Sequence, residues 1–178
     1  MSEERTAPER VRITGLQEAQ LAALVELENA CTTMYHQAGF DPAEVPPRNA
    51  GDLVRLTRDH NVHVAEADHV VAGYTAWRDD PPGVAYIAEL SVHPDHQRFG
   101  IGRRLWSALR DDAAKHGIAH AIVRCWENAS WAMGFYRTVG FAVADDGAPD
   151  KVRAWREERV QSGRPVCRPG EVVLWAKI

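Results

Sequence analysis

The sequence predicts an α/β (α+β) fold, a mixed sheet flanked by helices, on three observations. β-like runs of alternating or continuous apolar residues recur along the chain, and amphipathic helical stretches lie between them. One glycine-bearing turn, from Gln97 to Gly102, sits where a strand gives way to a helix. At 178 residues the chain is long enough for one substantial core, and the expectation is a single domain over 1–178.

The first strand is Val11-Arg12-Ile13, after which Leu16, Leu21, Leu24, Val25 and Leu27 recur at helical spacing. From Cys31 to Arg48, the residues Gly39, Pro42, Pro46 and Pro47 interrupt any regular element, and a long loop with helical turns is expected. Leu53, Val54 and Leu56 predict a second helix before His60. The β-like runs from Val62 to Glu66 and from Val70 to Trp77, joined by Ala67-Asp68-His69, predict a hairpin.

Pro81-Pro82-Gly83 leads into a strand from Val84 to His93, which Pro94 ends because proline supplies no ladder donor. Ile101, Leu105, Ala108 and Leu109 share a helical face, Gly117 closes that helix, and Ala119 to Trp126 reads as a strand buried on both faces. A helix from about Ala129 to Val139, a short strand from Phe141 to Ala144 and an alternating terminal strand from Glu171 to Ile178 complete the pattern. Before that last strand lies a polar insertion at about 145–170. There Trp155 and Val160, with Arg153, Arg156, Glu157, Glu158 and Arg159, suit a small charged helix acting as a lid or dimer contact; the alternative is a mobile surface loop.

Composition narrows the function. The net charge of -4 comes from well-mixed acidic and basic residues, so nucleic acid is not the expected partner. Cys31, Cys125 and Cys167 are odd in number and far apart, which suits reduced thiols in a cytoplasm. The charged stretch from Ser2 to Arg12 lacks the apolar run of a signal peptide, and no segment has the length of a membrane span; a cytoplasmic protein is expected. The pairs His60/His63, His93/His96 and His116/His120 lack the cysteine spacing or shared helical face of a metal site, so none is expected. Cys125, inside an apolar strand, reads as a packed small hydrophobe rather than a nucleophile.

The turn carries the clearest chemistry. A pyrophosphate needs several backbone N–H groups pointing at one spot, glycines that allow close approach, and the positive end of a helix dipole. Gln97 to Gly102 follows a strand and opens a helix, with Arg98, Arg103 and Arg104 nearby. The plain alternative is that Gly100 and Gly102 only let a strand turn into a helix. A dinucleotide-binding GxGxxG turn fails because Leu105 stands where its third glycine belongs.

Gln97-Arg98-Phe99-Gly100-Ile101-Gly102 meets the signature Gln/Arg-x-x-Gly-x-Gly/Ala of the GCN5-related N-acetyltransferase (GNAT) superfamily, which the chain resembles. The flanking Glu89-Leu90-Ser91-Val92-His93-Pro94 and Gly134-Phe135-Tyr136-Arg137-Thr138-Val139-Gly140-Phe141 resemble the family's fourth strand and its closing Phe-Tyr-x-x-x-Gly-Phe segment. This resemblance implies a mostly antiparallel sheet of six to seven strands, with a cofactor cleft between strands 4 and 5 and acetyl-CoA as cosubstrate. It places the pantetheine arm on Leu90 and Val92, the pyrophosphate on the amides of Gln97, Arg98, Phe99, Gly100, Ile101 and Gly102, and a phosphate oxygen near Arg103.

Tyr136 matches the family's tyrosine that protonates the departing thiolate, the alternative being a packing role. Asn128 matches an asparagine that binds the pantetheine arm, although Ala129 stands at the commonest spacing; its alternative is a helix N-cap. Glu89 is the candidate base, since an ammonium has no lone pair with which to attack a thioester, and Val92 N–H is the candidate oxyanion donor. A solvated surface carboxylate is the other reading of Glu89. The implied reaction is direct acetylation of a primary amine on a small molecule or peptide N-terminus, with a homodimer allowed. The competing reading is a non-catalytic acyl-CoA sensor.

Overall fold

The computed structural model describes residues 7–163 and 165–178; residues 1–6, which begin the charged N-terminal stretch, and Arg164 of the insertion lie outside the described residues. The elements run β1 (Val11–Gly15), α1 (Leu21–Gln37), α2 (Ala50–Arg58), β2 (Asn61–Ala67), β3 (Val70–Asp79), β4 (Val84–Val92) and α3 (Ile101–Lys115). They continue as β5 (His120–Trp126), α4 (Ser130–Thr138), β6 (Ala142–Val143), α5 (Asp150–Gln161) and β7 (Glu171–Lys177). The strands form one sheet in the order β1-β2-β3-β4-β5-β7-β6. β4 and β5 pair in parallel, while β1 with β2, β5 with β7 and β6 with β7 are antiparallel. This is the mixed, mostly antiparallel sheet that the sequence predicts.

Contacts divide the chain into two compact units, one holding the chain up to Ala76 together with Glu89–Leu109, the other Trp77–Ala88 with Arg110–Ile178. In the first unit, Leu24, Leu27 and Cys31 of α1 and Leu53 of α2 pack on Val64, Tyr74 and Ala76. A second cluster joins Ala65, Ala67 and Ala72 to Ile101 and Leu105 of α3. On β2 the two clusters take alternate residues, as a strand requires.

On β3 the alternation slips. Val71 and Tyr74, three residues apart, both pack with α1, whereas Ala72 belongs to the other cluster. The slip falls at Gly73, where a Cβ would stand 2.8 Å from the Ser91 carbonyl oxygen. Only glycine lets β3 and β4 approach so closely there, and the residue after it, Tyr74, packs in the cluster that holds α1.

Three local devices fix the rest of this unit. Asp68 and His69 both have positive φ, 48° and 72°, the backbone of a tight two-residue hairpin turn. Asn49 Oδ1 accepts the Asp52 N–H at 3.1 Å while Asp52 Oδ2 accepts the Asn49 N–H at 3.0 Å, a reciprocal cap that starts α2. α1 differs from expectation: Cys31 to Gln37 is helix, not loop. Buried Cys31 and Thr32 prolong its inward stripe, and the helix stops only where Gly39 takes φ 92°, ahead of the first proline.

In the second unit, Val152 and Trp155 of α5 pack with Val84, Ile122, Ala144, Ala148 and Val173. Residues 150–161 of the insertion are thus a packed helix in place of the mobile-loop alternative. Cys125 is buried, and burial followed by the Glu171 charge pushes its thiol up to about 11, as befits packing rather than nucleophilic use.

Candidate active site

The turn after β4 has the geometry of an anion cradle. Pro94–His96 forms a single 3-10 turn, and Gln97 returns to extended backbone with its Nε2 donating to the Val92 carbonyl at 3.0 Å. Arg98 and Gly100 then both take left-handed backbone, at φ 74° and 79°. Left-handed residues on either side of the negative-φ residue Phe99 turn neighbouring amides toward a common point. The Arg104 N–H to Gly100 carbonyl bond, 3.1 Å, is an i→i−4 bond of the first turn of α3, so the amides of Ile101, Gly102 and Arg103 lie ahead of it at the positive end of the helix dipole.

A Cβ on Gly100 would meet nothing within 4 Å. Its φ, rather than crowding by the protein, demands glycine, and the open space above it is what a close-approaching ligand requires. Arg98, Arg103 and Arg104 are exposed cations on the same segment. Donor set, dipole and charge together fit a pyrophosphate group.

Beside this turn, the first unit holds a buried acidic cluster that the sequence reading did not include beyond Glu89. On β4, Glu89 and Ser91 alternate to one face while Val92 packs with the α3 cluster on the other. Ser91 Oγ donates to Glu89 Oε1 at 3.0 Å, Thr75 Oγ1 donates to the Glu89 carbonyl at 2.9 Å, and Arg48 Nη2 lies 3.7 Å from Glu89 Oε2. The same guanidinium reaches Glu28 of α1, with Nε 3.9 Å from Oε2. Asn29 holds Arg48 in place: its Oδ1 accepts the Arg48 N–H at 3.0 Å and its Nδ2 donates to the Arg48 carbonyl at 3.2 Å.

The two carboxylates differ in access. The Glu28 side chain is 7% exposed and that of Glu89 22%, which sets aside the solvated-surface reading of Glu89. Burial, then the neighbouring Glu89 charge, pushes Glu28 up to about 8, although Ser91, Arg48 and Tyr74 pull the other way. Glu89 is also raised by burial, and Arg48, Ser91 and the Leu90 backbone moderate the rise. Tyr74 lies well above its ordinary range for the same cause, as does Cys31, pushed to about 12 by burial and by the two glutamates. Glu28 Oε1 and Tyr74 Oη are both buried and complete no hydrogen bond of ordinary geometry.

The first unit therefore brings together Glu89, Leu90, Val92 and the residues from Gln97 to Arg103. The Val92 carbonyl is occupied by Gln97 and, at 3.5 Å, by the Cys31 thiol. Asn128 and Tyr136 belong to the second unit. Tyr136 is buried, with its ring 5.3 Å from Phe135 and 5.1 Å from Phe141, both edge-on. Asn128 is not the N-cap of α4: Ala129 takes that place without a side-chain cap, because the chain turns one residue later and the Asn128 carbonyl accepts from the Ser130 N–H at 3.0 Å.

Residues 21–141, which span both the anion cradle and the acidic cluster, match the model of the Acetyltransferase (GNAT) family. The chain belongs to that family. It is 33% identical over 132 residues to the L-amino acid N-acyltransferase MnaT of Escherichia coli, covering 70% of this chain and 76% of that protein. With the L-methionine sulfoximine/L-methionine sulfone acetyltransferase of Salmonella typhimurium it shares 38% identity over 133 residues, again 70% of this chain and 76% of the relative. Its fold superposes on the PaiA N-acetyltransferase of Thermoplasma acidophilum in complex with coenzyme A with a TM-score of 0.73, at 16% identity, covering 95% of this chain and 99% of that one. As a GNAT acyltransferase the chain uses acetyl-CoA as cosubstrate, and the cradle at Gly100 fits its pyrophosphate.

Proposed function

We propose that the enzyme moves an acetyl group from acetyl-CoA directly to the α-amine of an amino-acid-like small molecule or a peptide N-terminus, with Glu89 as the proton acceptor. The observation that carries this reading is the setting of Glu89. It is the more exposed carboxylate of a buried pair, held by Arg48 and Ser91 on the strand that feeds the anion cradle. A carboxylate raised above its ordinary range is a better match to an ammonium proton at neutral pH than a solvated one.

The thioester supplies the activated acyl group. Around it, the amides of Gln97, Arg98, Phe99, Gly100, Ile101 and Gly102 hold the pyrophosphate, with Arg103 on a phosphate oxygen. The backbone of Leu90 and Val92 and the side chain of Asn128 hold the pantetheine arm. Val92 N–H steadies the negative oxygen that develops on the carbonyl, and Tyr136 donates a proton to the departing thiolate. Each of these assignments carries the family resemblance onto this chain.

The acceptor class draws support from the relatives, two of which are named for acylating amino acids or their analogues. The half-exposed Arg48 beside two carboxylates suits an acceptor with both an ammonium and a carboxylate. A thiol-release assay across amino acids, peptide N-termini, polyamines and aminoglycosides tests the proposal. Turnover confined to polyamines or aminoglycosides would reject the acceptor class. Acetyl-CoA binding by calorimetry with no thiol release from any amine would point instead to a non-catalytic sensor.

A further inference from the structure

Glu28 has no role in the mechanism above, yet its position is costly. It lies on the inward face of α1 between Leu24, Leu27 and Cys31, under Tyr74, with a single half-exposed guanidinium shared between it and Glu89. An ionised carboxylate so placed needs a dedicated countercharge and filled lone pairs. Neither is fully provided: the Arg48 contact is 3.9 Å and shared with Glu89, and among the described residues Oε1 completes no hydrogen bond of ordinary geometry. Two carboxylates and one guanidinium in a largely dry pocket are balanced when one carboxyl is neutral.

We propose that Glu28 is a positioning residue for acyl transfer: as the neutral acid, turned toward Tyr74, it leaves the guanidinium of Arg48 and the hydroxyl of Ser91 to fix Glu89 as the one anion of the pair. This inference rests on Glu89 being the base. The groups that face Glu28 are Glu89 and Ser91 from β4, Tyr74 from β3, Arg48 from the segment before α2, and Cys31 from α1 itself. The Tyr74 and Cys31 protons are held well above the range in question, so the only other group of the cluster able to titrate with Glu28 is Glu89. When Glu28 ionises at about pH 8, it competes for Arg48 and loosens Glu89.

The test compares wild type, Glu28→Ala, Glu28→Gln and Glu89→Gln in a thiol-release assay from pH 6 to 9.5 with saturating substrates. Wild type should lose kcat above about pH 8. Glu28→Ala should lower kcat at pH 7 by roughly 10- to 100-fold with a smaller change in KM, because a displaced base is penalised in rate. Glu28→Gln, which copies the neutral acid, should recover most of that loss and abolish the alkaline decline. An unchanged decline in Glu28→Gln, or a loss of kcat equal to that of Glu28→Ala, overturns the proposal.

Glu89→Gln separates the two readings. Turnover at the wild-type level in that variant removes the base itself, whereas loss there with an unmoved Glu28→Gln profile defeats only the inference about Glu28. Should the Glu28 variants fail to fold, carbon-13 titration of glutamate carboxyls in wild type decides: a Glu28 transition below pH 5.5 contradicts the neutral acid, and one near pH 8 supports it.

Discussion

Replacing Gly100 by alanine separates the backbone's demand for glycine from the ligand's. The residue sits at φ 79°, where an L side chain costs about 1–2 kcal/mol, offset by about 0.4–1 kcal/mol from a less flexible unfolded chain. The net loss, between about zero and 1.6 kcal/mol, corresponds to a fall in Tm of no more than roughly 6 °C for a chain of this size. Among the described residues, no atom beyond its own chain neighbours lies within 4 Å of the new methyl, so packing adds nothing to that figure. The methyl instead stands in the space that an approaching phosphate needs. Loss of one amide bond to a charged phosphate, about 1.5–3 kcal/mol, should weaken coenzyme A binding by roughly 10- to 150-fold. Gly117→Ala is the control: φ is 73°, nothing lies within 4 Å, and the position is past the other end of α3. Calorimetric titration with coenzyme A and thermal melts of both variants provide the readout. A Gly100→Ala affinity within twofold of wild type, or an equal weakening in Gly117→Ala, would refute the assignment of the cradle.

Tyr136→Phe keeps the ring contacts with Phe135 and Phe141 and should cut kcat at least tenfold in the thiol-release assay if the phenol is the acid; unchanged turnover removes that role. Gly73→Ala forces a Cβ against the Ser91 carbonyl, which is backbone and cannot swing aside, and should destabilise by about 1–3 kcal/mol; an unchanged urea midpoint would contradict the close approach. Glu28 imposes a pH dependence on stability whose sign follows from its raised folded value of about 8 against 4.5. The unfolded chain releases this proton first, so the group's contribution is greatest below about pH 4.5, falls as pH rises toward 8, and then levels off. The slope can approach about 1.4 kcal/mol per pH unit within that window, and Glu28→Gln should flatten it; a wild-type stability that rises from pH 5 to 8 by the same amount relative to the variant would show the wrong sign.

Much of the sheet was legible because its punctuation is local. Asp68 and His69 between two β-like runs set a hairpin, Pro94 ends β4, and the run from Gln97 to Gly102 has its meaning in strand-to-helix context. The errors arose where a distant residue decides the outcome. Gly39 and the prolines after it suggested that α1 ended early, yet Cys31 and Thr32 still had core to bury, and burial outweighs weak local propensity. Asn128 has the chemistry of an N-cap, but the turn into α4 starts one residue later.

Glu28 shows where a sequence signal existed and went unused. Leu24, Leu27 and Cys31 mark one face of α1 at spacings of three and four, and Glu28 falls inside that stripe rather than on the polar side. A carboxylate at such a position must find a countercharge, share a proton or destabilise the helix. The sequence could not name its partners, because Arg48, Tyr74 and Glu89 reach it only through the helix–sheet packing and the change of strand phase at Gly73. That dependence joins fold to chemistry. Restoring regular alternation on β3 would carry Tyr74 off the α1 face, uncovering Glu28 and so favouring the ionised form that competes with Glu89 for Arg48.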